Sequence, residues 1–450
     1  MSSACIRFDH GTLRIVAPGA ATLPHVLWDE RVHAFRAPAF RHREVTASLR
    51  RLPVDDPIAG RIRRPTGPWR APTLRGYQED ALRSLRAFHG RGVAVLPTGS
   101  GKTRLAIALL AGAKVPSLVL APTRVLVEQW REEIARWYDG PIGVVSDGDR
   151  RVEDVTVMTF ASAYATLDEH GDRFGALVVD EAHHFAGGLR AEALEMCVAR
   201  IRLGLTATAP AAGSPGGQRL VELIGPTVCE IRVNDLLGTH LANLTHVQIG
   251  VGLAPDEWAE YAPAYAQFSE LRSAFFRGNP SADWQQCLRS LGATAAGRAA
   301  IRGYHRAVAI ASFPREKREV VARLLARHTG DRTLVFTATA DDAYAIATDN
   351  LIPVITAEVG RAERAEILTR YRDGRFRAIV SARVLNEGVD VPDAAVAILV
   401  AGALGEREYV QRIGRVLRPS PGKTAVAYDL VATGTLDDAR ARRRGGPLAA

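Results

Sequence analysis

The chain has 450 residues, of which 47% are hydrophobic, and carries a formal net charge of +9 with a pI near 9.7. This length fits roughly two to four domains, and the absence of both a run of about 18 apolar residues and a signal-peptide pattern predicts no membrane span and no secretion. Four widely spaced cysteines without a CxxC pair argue against a zinc site and a disulfide framework, so a reducing cytoplasm is expected.

Residues 1–54 predict a small α+β domain of short strands with Pro and Gly turns, and residues 55–73 predict a linker. Residues 1–70 carry twelve Arg against six Asp plus Glu, which suits binding of a polyanion such as the DNA backbone. Only four of the chain's 58 basic residues are Lys, so a general arginine bias on a solvated surface is the alternative.

Two α/β units follow, at residues 74–240 and 241–450. Short apolar runs such as GVAVLP, SLVLAP and ALVVDE alternate with helical patterns in the first unit, which is typical of buried parallel strands with crossover helices. The second unit repeats this pattern from RTLVFTAT onward. Residues 256–312 have helical spacing and predict a helical insertion, in which Phe275, Phe276, Arg277 and Trp284 either stack on a nucleic-acid strand or pack the insertion's own core.

LRGYQEDAL places Arg75, Tyr77 and Gln78 just before the first unit. A glutamine amide can read the N6 and N7 edge of adenine, and Arg75 or Tyr77 could flank the base. An ordinary amphipathic helix start explains the same residues, so both interpretations stay open.

LPTGSGKT, at residues 96–103, follows an apolar strand and opens a helix, which is the context of a P-loop. Backbone N–H groups of such a loop cradle phosphates, Lys102 would reach the β- and γ-phosphates, and Thr103 would bind Mg²⁺. Leu96 stands where the motif has its first glycine. The remaining predicted ATP-binding residues of the loop are Pro97, Thr98, Gly99, Ser100 and Gly101.

ALVVDEAHH, at residues 176–184, predicts a buried strand that ends in two acids. Asp180 would hold Mg²⁺ and Glu181 would orient or deprotonate the attacking water. His183 and His184 are adjacent, so they cannot both face one ion from a regular element. We expect them to couple to a neighbouring strand instead.

QRIGRVLR, at residues 411–418, predicts a helix in the second unit with Gln411, Arg415 and Arg418 available to an anion. If the two units face each other, these arginines would meet the γ-phosphate from the opposite side. Arginines supplied across a cleft accelerate phosphoryl transfer by roughly 10³- to 10⁵-fold and make closure depend on nucleotide.

Together these motifs, with APTR at 121–124, MTF at 158–160, TAT at 206–208 and NEGVDVP at 386–392, resemble superfamily-two helicases. The closer resemblance is to the short form of the XPB family of DNA repair helicases. WDERVHAFRAPAF is similar to that family's damage-recognition domain, and the match covers almost the whole chain. The resemblance implies two RecA-like motor domains, a thumb-like insertion, 3′ to 5′ translocation on DNA, a role in nucleotide excision repair and a possible nuclease partner, with a monomer as the expected state.

One departure from the family concerns an Arg-Glu-Asp triplet used to grip and open duplex DNA. Ala211, Ala212 and Gly213 stand in its place, so strand separation is in question while ATP hydrolysis is not. DNA contacts are expected from strand-end loops and should be made to sugar and phosphate. The candidate DNA-binding residues are Thr123, Arg124, Thr159, Thr337 and Glu387, and Gly388 and Asp390 are expected to sense ATP.

Two other functions remain open at this level. An RNA helicase is disfavoured by DEAH in place of DEAD and by Gln411 where many RNA helicases have His. A DNA-docking scaffold that positions a nuclease is compatible with the lost triplet. It does not explain Glu181, because a static clamp needs no residue to activate water.

Overall fold

The computed structural model describes residues 3–64, 66–146, 148–187, 189–382, 394–401, 406–417 and 423–444. The chain divides into two compact units, Met1–Arg232 and Val233–Ala450. None of the helices in the described part combines the length and apolar composition that a membrane span requires.

The N-terminal part of the first unit is a five-stranded sheet with two helices on one face. Its strand order is β3-β4-β2-β1-β5, with β5 parallel to β1 and the other pairs antiparallel. Alternating residues such as Ile6, Leu13 and Ile15 are buried against the helices, which leaves the other face to solvent. The elements are β1 (Ala4–Asp9), β2 (Thr12–Val16), β3 (Leu27–Asp29), β4 (Ala34–Pro38), α1 (His42–Ser48), β5 (Val54–Asp55) and α2 (Pro57–Ile62).

The first part of the segment predicted to be a linker, residues 55–73, belongs to the N-terminal domain. It starts with the end of β5 and the whole of α2, whose N-cap Asp56 accepts a hydrogen bond from the Ala59 N–H and whose first residue is proline. Both features favour a helix start. Ile58 and Ile62 are buried in the N-terminal core, so the apolar spacing of this short helix ties it to the domain before it.

The first unit also contains an eight-stranded sheet in the order β13-β6-β12-β11-β7-β10-β8-β9. Its pairs are parallel except β8 with β9. The strands are β6 (Arg91–Val95), β7 (Ser117–Ala121), β8 (Ile142–Ser146), β9 (Asp149–Arg151), β10 (Val155–Thr159), β11 (Ala176–Asp180), β12 (Ile201–Thr206) and β13 (Thr227–Glu230). The helices are α3 (Gly76–Ala87), α4 (Lys102–Ala113), α5 (Arg124–Ala135), α6 (Phe160–His170), α7 (Glu192–Glu195) and α8 (Pro215–Leu223).

Within this unit the N-terminal domain is packed onto the eight-stranded sheet. Phe40 belongs to the core of the larger sheet, and Val198, which precedes β12, belongs to the N-terminal core. The guanidinium of Arg202, fully buried, lies 5.7 Å from the centre of the Phe40 ring and donates to four backbone carbonyls. Burial lowers the pKa of Arg202 to about 10, so this arginine stays charged at neutral pH.

The second unit is built on a six-stranded parallel sheet in the order β14-β19-β18-β15-β17-β16. Three helices, α10 to α12, fill the stretch that the spacing predicted to be helical. The strands are β14 (Asn243–Val251), β15 (Thr333–Thr337), β16 (Val354–Ile355), β17 (Ala378–Ala382), β18 (Val396–Leu399) and β19 (Thr424–Ala432). The helices are α9 (Val233–Leu236), α10 (Pro255–Gly278), α11 (Trp284–Gly292), α12 (Ala295–Ser312), α13 (Arg315–Arg327), α14 (Ala340–Asn350), α15 (Arg361–Arg372), α16 (Glu406–Gly414) and α17 (Leu436–Arg444).

Candidate active site

The glycine-rich loop lies between β6 and α4, at the carboxyl edge of the eight-stranded sheet. Gly99 and Gly101 have φ of 84° and 83°, values that glycine adopts without strain. Gly101 is the N-cap of α4, so the N–H groups of the first helical turn point into the loop. The Lys102 ammonium donates a hydrogen bond to the carbonyl of Leu96 at 3.2 Å. Leu96 is the residue that stands in place of the motif's first glycine. The loop therefore has the backbone geometry of a phosphate cradle.

The start of α3 contacts this loop directly. The Gln78 amide nitrogen donates to the carbonyls of Ser100 and Gly101, at 3.0 and 3.1 Å, and its oxygen accepts from the Arg75 N–H at 2.9 Å. The Tyr77 hydroxyl also donates to Ser100, and Arg75 donates to that hydroxyl. Because Gln78 is 1% exposed and uses both amide N–H donors on the loop, in this conformation its amide is engaged by the phosphate loop and is not open to a base.

Strand β11 ends at Asp180, whose carboxylate is held by two hydrogen bonds. Trp130 Nε1, on α5, donates to Asp180 Oδ2 at 2.9 Å, and the Glu181 N–H donates to Oδ1 at 3.1 Å. Burial raises the pKa of Asp180, and this effect is opposed by the positive charge of nearby Lys102 and by the Trp130 hydrogen bond. A desolvated carboxylate beside the phosphate loop is a fitting ligand for a hard cation such as Mg²⁺.

Glu181 has a backbone conformation that is uncommon outside glycine, with φ of 50°. Such strain costs about 1–3 kcal/mol and is concentrated at functional sites. Its Oε2 lies 3.4 Å from His183 Nδ1, which is also 3.0 Å from the hydroxyl of Thr206 at the end of neighbouring strand β12. These contacts connect His183 to the next strand. Among the described residues, no group of three or more His, Cys, Asp and Glu is arranged to hold a metal ion.

Trp130 is a site residue that the sequence did not reveal. In sequence it is one apolar position of the amphipathic helix α5, and it is 3% exposed, as a core residue would be. Its contact with Asp180 joins residues fifty positions apart in the chain and depends on α5 packing against β7, the strand next to β11. A weak signal was available, because a buried indole N–H usually needs a hydrogen-bond acceptor.

The helix predicted over residues 411–418 ends earlier, at Gly414. The Arg415 N–H bonds to the Arg412 carbonyl at 3.2 Å, so Arg415 lies in the closing turn and not on a helix face. Arg412 is buried and donates to Thr337, Ala401 and Glu408, which shows a structural role. Gln411 is 3% exposed, and within the described part of the chain its amide nitrogen has no hydrogen-bond partner.

Several predicted residues fall outside the described part of the chain: Arg418, Glu387, Gly388 and Asp390. Thr103 lies in the first turn of α4, and Pro97 and Thr98 lie in the loop before it.

The candidate DNA-binding residues have different surroundings. Thr123 and Thr159 are the N-caps of α5 and α6, and each side chain accepts a hydrogen bond from its own helix. Arg124 is exposed at the start of α5. Thr337 is fully buried and its hydroxyl donates to the Thr339 carbonyl, so it is not available to DNA in this conformation. The expectation for Thr337 is therefore not met, because this strand end lies beneath the surface.

The loop that replaces the Arg-Glu-Asp triplet is exposed and uncharged. Ala211 to Gly213 are exposed, Gly213 has φ of 82°, and Ser214 caps α8 by accepting from the Gly217 N–H at 3.1 Å. Nothing in this turn can form an ion pair with a phosphate.

The aromatic residues of the insertion pack mainly on each other. Phe275 and Phe276 are partly buried against a small core around Phe268. Trp284 contacts Phe268 and Tyr304 but remains 41% exposed. Of the two interpretations, self-packing therefore accounts for Phe275 and Phe276, while Trp284 still presents a surface to solvent.

Three family models match the chain. "Type III restriction enzyme, res subunit" matches residues 71–211, and "Helicase conserved C-terminal domain" matches residues 316–420. "Xeroderma pigmentosum group B helicase damage recognition domain" matches residues 6–56. These spans cover the phosphate loop and acidic strand end, strands β15 to β18 of the second unit, and most of the N-terminal domain.

Individual relatives of the chain also carry the XPB name. The chain is 32% identical to the "DNA 3'-5' translocase XPB2" of Sulfurisphaera tokodaii over 94% of this chain and 96% of that protein. It is 29% identical to the "DNA 3'-5' helicase XPB" of Mycobacterium tuberculosis over 82% of this chain but only 63% of that longer protein.

Solved structures show the fold. The Hef helicase domain of Pyrococcus furiosus has a TM-score of 0.52 at 18% identity, covering 82% of this chain and 98% of that one. Dbp5 of S. cerevisiae, bound to RNA and ADP BeF3, has a TM-score of 0.56 at 16% identity, covering 82% and 86%. Both share the parallel-sheet motor architecture with this chain.

Proposed function

Because this chain belongs to the XPB family of DNA helicases and translocases, we propose that it hydrolyses ATP to move 3′ to 5′ along duplex or forked DNA during nucleotide excision repair. The observation that carries the proposal is the meeting of the phosphate loop and the acidic strand end. Lys102 lies near enough to Asp180 to oppose the effect of burial on its pKa, and Glu181 follows directly.

In this site each side chain has a separate task in ATP hydrolysis. The loop N–H groups and Lys102 would bind the β- and γ-phosphates, and Glu181 would orient the attacking water and take its proton. Thr103 and Asp180 would hold Mg²⁺, which supplies charge neutralisation on the phosphate oxygens. Lys102 must leave the Leu96 carbonyl to reach a phosphate, so binding of ATP exchanges a loop contact for a phosphate contact.

We place Gln411, Arg415 and Arg418 in the same reaction as groups that the second unit supplies. The buried amide nitrogen of Gln411 has no partner among the residues that the structure describes, which favours a role that is completed by a ligand. Arginines that contact the γ-phosphate only when the motor closes would tie closure to the nucleotide state. That dependence is what converts hydrolysis into movement.

On the DNA side we assign the N-terminal domain, Thr123, Arg124, Thr159 and Glu387 to sequence-independent contacts with the backbone. The N-terminal arginine surplus and the damage-recognition match support this assignment. A nuclease partner and a monomeric state complete the proposal.

Of the two alternatives, the scaffold has a specific observation in its favour and the RNA helicase does not. The uncharged loop at Ala211 to Gly213 favours a scaffold that docks on DNA without separating strands. The RNA in the Dbp5 complex belongs to a protein that is 16% identical, so it supports only the fold. DNA is favoured over RNA because the N-terminal domain matches a damage-recognition model.

A strand-displacement assay tests the proposed movement. A forked duplex with a 3′ tail and a triplex-bearing duplex are each incubated with protein and ATP. Displacement of the triplex strand without separation of the fork is the expected result, because translocation needs only the motor while strand opening lacks its charged loop. Failure on both substrates, with ATP turnover intact, would favour the scaffold.

Replacing Trp130 with phenylalanine removes one hydrogen bond and keeps the packing of α5. We expect the Mg²⁺ concentration for half-maximal ATP turnover to rise about 10- to 100-fold, the usual effect of losing a partner of a metal-binding side chain. Trp137→Phe is the matched control, because Trp137 is a partly buried tryptophan of the same unit whose indole is not bonded to Asp180. An unchanged Mg²⁺ requirement in the Trp130 variant would show that the Asp180 contact is only structural.

A further inference from the structure

A cavity of about 440 Å³ lies at the amino-terminal edge of the six-stranded sheet. Four of its lining residues directly precede neighbouring strands: Arg332 before β15, Arg377 before β17, Ala395 before β18 and Lys423 before β19. The end of α15, from Arg372 to Gly374, and the segment after α13 complete the wall. The candidate ATP site uses the other sheet and its carboxyl edge, so this cavity is a separate feature.

The lining of the cavity selects against apolar ligands. It contains four basic and two acidic side chains, with glycine and alanine as the remaining residues. Among the described residues that line it there is no aromatic or large aliphatic side chain, so they offer no surface on which a nucleobase or an acyl chain could be buried. A compact anion is the ligand that this composition favours.

The arginines of the cavity have few partners among the described residues. Arg332 donates one N–H to the Arg372 carbonyl at 3.3 Å, and Arg377 donates one to the Gly330 carbonyl at 3.5 Å. The two carbonyls lie at the end of α15 and in the segment after α13. A guanidinium has five N–H donors, so each of these arginines keeps donors for a ligand. Asp331 is bonded to His328, and in the described part of the chain no carboxylate lies within ion-pair distance of Arg332, Arg372 or Arg377.

A second cavity, of about 420 Å³, provides a comparison within the same chain. It lies at the amino edge of the eight-stranded sheet and is also lined by arginines. There the charges are matched: Arg61 pairs with Asp172, and Arg64 pairs with Asp154 at 2.8 Å. In this second cavity, Arg61 and Arg64 are paired with carboxylates. In the cavity of the second unit, the described arginines have no such ion pairs.

We propose that the cavity lined by Arg332, Arg372, Arg377 and Lys423 binds phosphate groups, carried either by a free polyphosphate or by a nucleic-acid backbone. Planar guanidinium groups match phosphate oxygens with paired hydrogen bonds, and the lysine adds a compact charge. A polyanion would also relieve the repulsion among like charges gathered at one edge of the sheet.

Arginine modification tests the proposal at single-residue resolution. The full-length protein is treated with phenylglyoxal alone, with sodium tripolyphosphate, or with a blunt DNA duplex, and modified peptides are quantified by mass spectrometry. We expect Arg332, Arg372 and Arg377 to lose most of their reactivity when one of these phosphates is bound. Exposed Arg375, beside the cavity but not lining it, should react as before with either phosphate.

The variant Arg332→Gln/Arg377→Gln separates the two sources of phosphate. If the source is free polyphosphate, tripolyphosphate protects and the variant abolishes that protection of Arg372. If the source is nucleic acid, the duplex protects, and the slope of log affinity against log salt falls by about 0.9 for each lost phosphate contact. If neither tripolyphosphate nor the duplex protects Arg332, Arg372 and Arg377, the proposal is overturned.

Discussion

Replacing Glu181 with glutamine should reduce the turnover number for ATP by about 10²- to 10⁴-fold, the usual contribution of a positioned general base. The amide keeps the size of the side chain but cannot take a proton from water. Asp180, Lys102 and the loop are unchanged, so the affinity for ATP should stay close to that of the wild type. Steady-state turnover and binding of a fluorescent ATP analogue measure the two quantities separately.

The geometry around Glu181 makes this variant informative. Its backbone already has a positive φ, and glutamine tolerates that conformation no worse than glutamate. Glu169→Gln in the same unit is the matched control, because that side chain is 70% exposed and should not affect turnover. A Glu181→Gln protein that hydrolyses ATP at the normal rate would remove Glu181 from the chemistry. One that loses hydrolysis yet supports repair fully would favour the scaffold.

Replacing Lys317 with alanine should destabilise the second unit by about 3–5 kcal/mol, the usual cost of breaking a buried ion pair by removing one partner. Lys317, on α13, is fully buried, and its ammonium lies 2.8 Å from Asp437 Oδ2 in the first turn of α17. The Ala432 N–H, at the end of β19, donates to the same oxygen at 3.1 Å. The variant would leave a buried carboxylate without its cation.

Chemical denaturation followed by circular dichroism measures this loss. Arg323→Ala is the matched control, because Arg323 is an exposed residue of the same helix and should change stability by less than about 0.5 kcal/mol. The double variant Lys317→Met/Asp437→Leu should recover part of the loss, since an apolar pair of similar volume replaces both charges while the Ala432 N–H loses its acceptor. Equal stability of the Lys317→Ala protein and the wild type would show that the pair contributes nothing.

The phosphate loop and the acidic strand end could be predicted because their chemistry depends on short, fixed spacings. Lys102 follows the apolar strand β6 by a few residues, and Asp180 and Glu181 stand at the end of the apolar strand β11 with a turn after it. Such short motifs consist of consecutive residues, so Lys102, Asp180 and Glu181 could be recognised without any knowledge of tertiary contacts. Their proximity required only that parallel strands align their carboxyl ends.

The features that the sequence did not predict depend on tertiary contacts. Trp130 reaches Asp180, and Lys317 reaches Asp437, across 50 and 120 positions, and neither partner can be named from periodicity alone. The burial of Thr337 likewise depends on how the strand end is covered. The helix α2 inside the expected linker had a local signal, Asp56 before Pro57, which the abundance of Pro and Gly nearby outweighed.

The central claim, that this chain is a DNA-driven ATPase motor, is tested most directly by ATP turnover measured without nucleic acid and with single-stranded DNA, duplex or forked DNA, and RNA. The Lys102→Ala protein is the control, because it lacks the lysine expected to bind the phosphates. We predict strong stimulation by DNA, little by RNA, and none in the control. Slow turnover that is the same with every nucleic acid would contradict the account.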